Sequence, residues 1–423
     1  MTQATVRERS AALPKGVHGA ADPHFACAVR SFASLFPSRR FGGGALSVYL
    51  HGEPVVDVWT GWADRRGRVP WTADTGAMVF SATKGVASTV IHRLVDRGLI
   101  DYDAPVAEYW PEFGAGGKAD ITVREMMAHR AGLSQLNGLT SADLLDHLKM
   151  EEVIAAAPAS SLRGKPAYHA LTYGWLLSGL ARSVTGLGMR ALIRQEVAAP
   201  LDTDGLHLGR PAPGARTRNA QIIGPQLNIQ NPVFNAVAPR LAAVQRSAIF
   251  GATYFPGMKS MVQGETPLLD AEIPSANGVA TARALAKMYG ALANGGEVEG
   301  TRLLSSDLCA ALVGRRSLAP DRSIFMPLAF HLGYHALPLP GILPGFGHVG
   351  LGGSLGWAVP DTGLAFSFVH NRLLTPFLAA DQAGFVATAA LIRRGAAAAR
   401  SRGYRSISGF GATFPAGSES VAG

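Results

Sequence analysis

The apolar residues near the N-terminus are arranged in a way that predicts paired strands. Residues 45–50 (ALSVYL) and 55–61 (VVDVWTG) are rich in β-branched and aromatic side chains, and they flank the short stretch 51–54 (HGEP). Two such runs separated by a short turn that contains glycine are typical of a β-hairpin. We therefore expect two antiparallel strands in this part of the chain.

Further along, the apolar period changes to that of a helix. A short apolar run at 77–80 (AMVF) is followed by apolar residues at helical spacing from Val86 to Gly98, a common helix stop. The chain thus passes from a strand into a helix close to Ser81. Helical spacing continues in the middle of the chain and returns later, over residues 122–133, 141–158, 171–186, 188–201 and 275–296.

The last third of the chain returns to strand-like runs, at residues 346–350, 355–360 and 363–371, before a final helix at about 377–394. Strands at both ends of the chain enclose a helical middle. We therefore predict an α/β fold of the α+β type, with one antiparallel sheet built from both chain ends, flanking helices and an inserted helical domain. The expected division is an α/β domain of residues 23–80 and 275–395, an inserted domain of residues 81–274, and flexible tails at 1–22 and 396–423.

The composition allows a large core and argues against a membrane-spanning protein. The chain has 423 residues, of which 48% are hydrophobic. No uncharged apolar run reaches the length of about 18 residues that a transmembrane helix needs. The N-terminus lacks the apolar segment of a secretory signal, and the two cysteines, Cys27 and Cys309, lie far apart. We therefore expect a cytoplasmic protein.

The formal net charge of +9 raises the question of an anionic partner. Nucleic acid is not expected, because the chain has no known binding module and no basic patch interleaved with aromatic residues. Part of the charge lies near the C-terminus, on Arg393, Arg394, Arg400, Arg402 and Arg405. The simplest interpretation is a solvated basic tail, and the alternative is a weak attraction to anionic membrane surfaces.

The strongest chemical signal is the pair of a serine and a lysine three residues apart in FSATKGVAS. Such side chains share one face of a helix, so the Lys84 amine can reach the Ser81 hydroxyl. Serine becomes a nucleophile when a base takes its proton, and burial lowers the pKa of lysine enough for that role. A helix N-terminus also offers free N–H groups to a developing oxyanion. The alternative is a helix-capping serine beside an ordinary surface lysine.

Several collinear stretches resemble one superfamily of enzymes. VFSATKGVAS, ITVREMMAHRAGL, AYHALTYGWLLSGLARSVTG and FGHVGLGGSLGWAVPDTGLAFSFVHNR are similar to motifs of the serine β-lactamases and penicillin-binding proteins. They most closely resemble the class C β-lactamase-like family VIII carboxylesterases, over about residues 40 to 395. The resemblance implies that Ser81 is the nucleophile, that Lys84 shares its proton, and that the reaction needs no cofactor and no metal.

The second motif of this family is a tyrosine in a loop before a helix. By resemblance it is Tyr168, followed by His169 and Ala170, which would line the substrate site. Tyr168 would share the Ser81 proton with Lys84 and later deliver it to the leaving group. Tyr173, about one helical turn further on, is the alternative.

By resemblance the third motif is the strand triplet His348, Val349 and Gly350. Val349 and Gly350 would line the substrate, and the glycine lets it approach the backbone closely. The backbone N–H groups of Ser81 and Leu351 would form the oxyanion hole. His348 would form a hydrogen bond near Tyr168 or to the substrate, and the alternative is a strand histidine without a catalytic role.

Three departures from the β-lactamase pattern favour an esterase. Ala170 replaces an asparagine, His348 replaces a lysine, and Val349 replaces a hydroxyl residue. In the family these polar groups hold the amide and the carboxylate of the substrate, and a simple ester needs neither contact. We therefore predict a serine carboxylesterase that hydrolyses small-molecule or lipid-like esters of short to medium acyl chain through an acyl-Ser81 intermediate. The irregular stretch 205–275 would form part of its acyl pocket.

Other functions stay open at this point. They are β-lactamase or D-amino-acid peptidase activity, acyl transfer to an alcohol, and a catalytically silent binding protein. The sequence leaves the oligomeric state unknown. A rival nucleophile is Ser354, because GGSLG at 352–356 fits the G-x-S-x-G pattern of α/β-hydrolases. That pattern requires a strand, a tight turn and a helix, whereas strand-like runs follow Ser354, so we predict a hairpin here.

Overall fold

A computed structural model describes residues 11–135, 139–140, 142–223, 267–314, 316–325, 327–337, 341, 343–373 and 378–407. The described strands are β1 (Val17–Ala21), β2 (Gly43–Leu50), β3 (Glu53–Gly61), β4 (Thr75–Met78), β5 (Leu206–Leu208), β6 (Arg218–Asn219), β7 (Gly278–Ala280), β8 (Glu297–Val298), β9 (Thr301–Arg302), β10 (Phe330–His331), β11 (Tyr334–His335), β12 (Phe346–Val349), β13 (Leu355–Val359) and β14 (Leu364–His370). The described α-helices are α1 (Ala26–Ser34), α2 (Thr83–Asp96), α3 (Val106–Tyr109), α4 (Val123–Met127), α5 (His147–Ala156), α6 (Thr172–Thr185), α7 (Met189–Leu192), α8 (Ala282–Ala293), α9 (Ser306–Leu312) and α10 (Leu378–Arg402).

The main sheet has eight strands in the order β1-β3-β2-β14-β13-β12-β11-β10, and all neighbouring pairs are antiparallel. Strands from the two ends of the chain meet where β2 pairs with β14, with Ser47 opposite Ser367. The predicted sheet built from both chain ends and the predicted hairpin of β2 and β3 are therefore confirmed.

Side chains of the sheet alternate between two cores, as the strand period of two requires. Phe368 of β14 lies against Phe32 of α1 and Phe385 of α10, with ring centroids 5.8 and 4.5 Å apart. On the opposite face Tyr49 of β2 packs closely against Gly290 of α8. The sheet thus lies between α8 on one side and the terminal helices α1 and α10 on the other.

A second sheet, in the order β5-β7-β4-β6, joins the helical region to the rest of the molecule. Its strand β4 leads directly into the turn that carries Ser81, and α2 follows that turn. Helix α2 is almost entirely buried and packs against α6 and against the π-helix Ile193–Ala198. The predicted passage from a strand into a helix at Ser81 is confirmed.

Several helices are shorter than their apolar pattern predicted. The predicted helix at 275–296 starts only at Ala282, because Gly278–Ala280 pairs with β4 and β5 and the Thr281 side chain caps the helix. The predicted helix at 122–133 ends at Met127, and His129 then takes a positive φ of 58°. Local apolar spacing does not register such tertiary pairing.

The predicted tails are ordered over part of their length. The prediction of a flexible tail over residues 1–22 is wrong for Val17–Ala21, because these residues form β1 and pair with β3. The C-terminal helix extends to Arg402, beyond the start of the tail predicted at 396. No helix of the described residues is long and apolar enough to cross a membrane. The division at residues 81 and 274 stays a prediction, and residues 224–266 of the predicted acyl-pocket stretch lie outside the described residues.

Candidate active site

Ser81 lies on a strained turn between β4 and α2. The preceding residue, Phe80, has a φ of 48°, which is unusual for a residue with a side chain. The Thr83 hydroxyl donates to the Phe80 carbonyl at 2.5 Å and accepts the Gly278 N–H at 2.9 Å, so β7 holds the turn in place. Strain of this kind persists only where the surrounding structure fixes it. The turn presents a half-buried Ser81 at the start of a helix.

Lys84 is fully buried beside Ser81, as the three-residue spacing predicted. Its Nζ lies 3.1 Å from Ser81 Oγ, 2.6 Å from the Ala170 carbonyl oxygen and 2.8 Å from that of Ser275. Burial lowers the pKa of Lys84 well below its usual value of 10.5. In the neutral amine, two protons can bind the two carbonyls, which leaves the nitrogen lone pair for the Ser81 hydroxyl.

Tyr168 completes a compact set of three polar side chains. Its hydroxyl donates to Ser81 Oγ at 2.8 Å, and Lys84 Nζ lies 5.0 Å from the centroid of its ring. Burial raises the pKa of Tyr168 above the usual value of 10.0, so the phenol keeps its proton. A group of this kind is suited to donate a proton. The alternative, Tyr173, lies elsewhere, because its hydroxyl bonds to Ser88 Oγ at 2.8 Å.

His169 is buried against the loop of Tyr168, and its predicted place along the substrate site stays a prediction. Its ring is fully buried, with Nδ1 2.7 Å from the Ala167 carbonyl and Nε2 accepting the Leu133 N–H at 3.1 Å. Its backbone N–H donates to Nδ1 of His129 at 3.0 Å. Both ring nitrogens therefore have protein partners, and the histidine orders the chain next to Tyr168.

Ala170 and Ser275 act through their backbone. Both carbonyls accept from the Lys84 amine, and both residues are buried. The sequence predicts Ala170 as a substrate-lining residue by resemblance, not as a carbonyl partner of Lys84, and it gives no indication of Ser275. No residue-type signal marks a carbonyl that any residue could supply, so sequence reasoning has no means of finding Ser275.

Gly350 brings the end of β12 against the turn before Ser81. A Cβ atom on Gly350 would lie 2.0 Å from the Val79 carbonyl oxygen, so only glycine permits this approach. The next residue is the half-buried Leu351, the predicted second oxyanion donor. Among the residues that the structure describes, neither the Ser81 N–H nor the Leu351 N–H has a protein acceptor. Both groups are thus available to a substrate oxygen.

His348 lies on β12 and is buried, but it makes no hydrogen bond to Tyr168. The two ring centroids are 6.5 Å apart, and His348 Nδ1 instead lies 3.1 Å from the Val349 carbonyl. Its Nε2 is buried without a partner among the described residues. Burial lowers the pKa of His348 well below 6.5, with His335 and Lys84 nearby. A neutral ring therefore lies beside the site, and Val349 is half-buried at its edge.

Ser354, the rival serine, is buried at the start of β13. Its hydroxyl accepts the His370 N–H at 3.2 Å. Strands β13 and β14 follow it as an antiparallel pair joined by the short 3₁₀ helix Pro360–Thr362, which confirms the predicted hairpin. The structure provides neither the helix that a G-x-S-x-G nucleophile needs nor a base at hydrogen-bond distance from Ser354 among the described residues.

The fold and the cluster of serine, lysine and tyrosine define the class of β-lactamase-like hydrolases. The family model described as Beta-lactamase matches residues 4–391 of this chain. The chain therefore belongs to the beta-lactamase family, as the motifs predicted.

The most informative relatives combine esterases with penicillin-binding proteins. Esterase/beta-lactamase LipL of Mycobacterium tuberculosis is 64% identical over 399 residues, which cover 94% of this chain and 93% of LipL. The crystal structure of a family VIII carboxylesterase has a TM-score of 0.75 and 31% identity, and the match covers 89% of this chain and 99% of that one. The crystal structure of a penicillin-binding protein homolog from Caulobacter crescentus has a TM-score of 0.74 and 31% identity, and the match covers 90% of this chain and 99% of that one. The chain is thus an esterase/beta-lactamase-like hydrolase of the serine β-lactamase superfamily.

Proposed function

We propose that the protein is a carboxylesterase in which Ser81 attacks the ester carbonyl and becomes acylated. The proposal rests on the two hydrogen-bonded contacts of the Ser81 hydroxyl, one with the amine of Lys84 and one with the phenol of Tyr168. Ser81 Oγ lies 3.1 Å from a buried amine whose pKa is lowered and 2.8 Å from a phenol whose pKa is raised. Two groups whose environments shift their proton affinities apart suit the roles of base and acid.

The proposed first half of the reaction forms the acyl-enzyme. Neutral Lys84 takes the proton of the Ser81 hydroxyl as Oγ bonds to the carbonyl carbon. The carbonyl oxygen becomes an oxyanion that accepts from the N–H groups of Ser81 and Leu351. When the C–O bond of the ester breaks, Tyr168 protonates the departing alcohol, and the Lys84 ammonium restores the Tyr168 proton.

The second half releases the acid. Water attacks the acyl carbon, gives one proton to Lys84, and forms a second oxyanion in the same hole. Collapse of this intermediate breaks the bond to Ser81 Oγ, and that oxygen takes the proton from the Lys84 ammonium. Every group in the cycle returns to its starting state, so no cofactor is consumed.

The test compares ester hydrolysis by the wild type, Ser81→Ala and Ser354→Ala on a p-nitrophenyl ester of short acyl chain. We expect Ser81→Ala to lower kcat/KM by at least about 10³-fold, because the nucleophile is lost. Ser354→Ala should stay within about threefold of the wild type, because among the described residues the Ser354 hydroxyl bonds only to the backbone of His370 in β14. Loss of activity in Ser354→Ala alone would overturn the proposal. Varying the acyl chain from acetate to octanoate measures the proposed preference for short to medium chains.

A second candidate activity is β-lactam hydrolysis. The name of LipL, 64% identical to this chain, includes beta-lactamase. The same acyl-Ser81 chemistry would open a β-lactam ring, but Ala170, His348 and Val349 provide no amide, ammonium or hydroxyl group for the substrate's own amide and carboxylate. We therefore expect turnover of a chromogenic cephalosporin to be much slower than ester hydrolysis. Adding acceptor alcohols to the ester assay separates acyl transfer from hydrolysis.

We also propose that the basic end of α10 contacts anionic membrane surfaces. Arg393, Arg394 and Arg400 line a cleft of about 350 Å³ between α10 and the hairpin of β13 and β14, and its apolar lining includes Val359 and Leu364. Arginines around an apolar cleft suit phosphate headgroups with adjoining acyl chains. The double variant Arg394→Gln/Arg400→Gln should sediment less with phosphatidylglycerol vesicles, whereas Arg66→Gln/Arg68→Gln, on another surface, should not. Equal sedimentation with phosphatidylcholine would contradict the proposal.

A further inference from the structure

Val349 has both of its backbone polar groups bound by histidine side chains. Its N–H donates to Nε2 of His335 at 3.0 Å, and its carbonyl lies 3.1 Å from Nδ1 of His348. The strand ladder does not supply these partners, because β11 pairs with β12 only through His335 opposite Gly347. Beyond the last backbone pair of β11 and β12, the side chain of His335 thus supplies the acceptor that a further residue of β11 would have provided.

The two hydrogen bonds determine where each ring carries its proton. An N–H can only donate, so His335 Nε2 accepts and a neutral His335 is protonated at Nδ1. A carbonyl can only accept, so His348 is protonated at Nδ1 and its Nε2 is bare. Burial lowers the pKa of His335 to about 3, which keeps the ring neutral and Nε2 free to accept at ordinary pH.

The strand end that His335 holds leads straight into the proposed oxyanion hole. Gly350 follows Val349 and lies against the Val79 carbonyl, and Leu351, whose N–H is the proposed second donor, comes next. A rotation of the Val349 peptide would turn the following peptides with it. Because oxyanion donors act only when aimed at the developing charge, small changes of angle here reduce the rate.

We propose that His335 is a positioning residue for the oxyanion hole, and that it acts through the Val349 N–H to aim the N–H of Leu351. This inference rests on the proposed ester hydrolysis through Ser81. His335 does not touch the reacting atoms, and its ring also packs against His348, Phe330 and Trp357, with centroids 4.8, 5.7 and 5.6 Å away. A test must therefore separate the acceptor nitrogen from the bulk of the ring.

Three substitutions make that separation. In His335→Gln the amide oxygen is as many bonds from Cα as Nε2 is in histidine. In His335→Asn the oxygen is one bond closer to Cα. His335→Leu keeps apolar bulk without an acceptor. The matched control is His331→Leu, because His331 lies in the adjacent strand β10 and bonds to the Ala311 carbonyl, remote from Val349.

The measurement is kcat and KM for a p-nitrophenyl ester, together with thermal unfolding of each variant. We expect Asn and Leu to lower kcat and kcat/KM about tenfold with KM within about twofold, as befits an interaction used in the transition state. Gln should restore kcat to within about threefold of the wild type, and His331→Leu should leave it unchanged. If the Leu variant does not fold, the Asn and Gln pair carries the comparison.

Three results would overturn the inference. The first is wild-type kcat in folded Asn and Leu variants. The second is an equal loss in the Gln variant, which would assign the effect to packing of the ring. The third is a rise of KM at constant kcat. Failure of the proposed function itself looks different, because the hydrolysis by the wild type would then persist in Ser81→Ala.

Discussion

Ser81 and Ser354 lie on either side of one close contact, yet their surroundings differ in every respect that matters for a nucleophile. Gly350 touches the Val79 carbonyl, two residues before Ser81, and its N–H donates to the Ser354 carbonyl at 2.7 Å. The Ser81 hydroxyl contacts a buried amine and a phenol, whereas the hydrogen bonds of the Ser354 hydroxyl within the described part of the chain go only to the backbone of His370. The hydrogen-bond partners of a serine hydroxyl are therefore a better guide to the nucleophile than a match to a five-residue motif.

Two buried lysines extend the same comparison. Lys118 is as fully buried as Lys84, and its Nζ donates to the Ala115 and Ala155 carbonyls at 2.6 and 3.0 Å. Burial lowers the pKa of both amines. Of the two amines, only that of Lys84 forms a hydrogen bond with a serine hydroxyl. A comparison of the two lysines therefore separates the effect of the contact with Ser81 from the effect of burial.

The largest expected effect comes from removing the amine. Lys84→Met should lower kcat/KM by about 10³-fold, because Ser81 loses the group that takes its proton. Lys118→Met is the matched control, and it should reduce the free energy of unfolding while leaving kcat/KM near that of the wild type. Ester hydrolysis and thermal unfolding of both variants provide the check. Equal losses of kcat/KM in folded samples would show that burial of a lysine, and not its contact with Ser81, is required.

The next effect concerns the proton donor. Tyr168→Phe should lower kcat by about 10²-fold, because the leaving alcohol loses its acid. Tyr173→Phe removes a hydroxyl of similar burial that bonds to Ser88, so it should cost about 1 kcal/mol of stability and little activity. A larger loss of kcat in Tyr173→Phe would reverse the assignment of the two tyrosines.

The pH dependence should follow Lys84. Ser81 needs the neutral amine, so kcat/KM should fall about tenfold per pH unit below the pKa of Lys84 and be level above it. The bend should lie well below 10.5, because burial lowers this pKa. Protonation of His335 and His169 does not compete near neutrality, because burial lowers their pKa values to about 3 and about 4. A bend that persists unchanged in the residual activity of Lys84→Met would assign the titration to another group.

The smallest expected effect tests the contact shared by the two serines. Gly350→Ala would place its Cβ 2.0 Å from the Val79 oxygen, so the strand end must shift. We expect a loss of roughly 2 kcal/mol of stability and a several-fold lower kcat. Gly341→Ala, where no atom of the described residues lies within 4 Å of the new Cβ, should change neither stability nor kcat beyond experimental error. Wild-type kcat in Gly350→Ala would mean that the close approach is not needed for catalysis.

The sequence predicts those parts of the site in which side-chain chemistry is local. Ser81 and Lys84 are recognisable because a spacing of three residues places both side chains on one face of a helix. Tyr168 is recognisable only through the resemblance of AYHALTYGWLLSGLARSVTG to the second motif of the family. Residues that act through tertiary placement are not recognisable in this way. His335 is one strand of a sheet away from Val349, and Ser275 contributes only a carbonyl.

The fold shows the same limit. The hairpin of β2 and β3 follows from two runs rich in β-branched and aromatic residues with a short turn between them, so the sequence predicts it well. Strand β1 is short and contains glycine, and it becomes a strand only because β3 offers a partner edge. Gly278–Ala280 resembles the start of a helix in apolar spacing, and its pairing with β4 and β5 overrides that tendency.

The reactive serine can be identified directly, because an activated serine hydroxyl displaces fluoride from a fluorophosphonate and keeps the phosphonyl group. Wild-type protein would be incubated with a fluorophosphonate, digested, and analysed by mass spectrometry for the modified peptide. We expect one adduct on Ser81, strongly reduced labelling in Lys84→Met, and unchanged labelling in Ser354→Ala. An adduct on Ser354, or labelling of the wild type that survives Ser81→Ala, would contradict it.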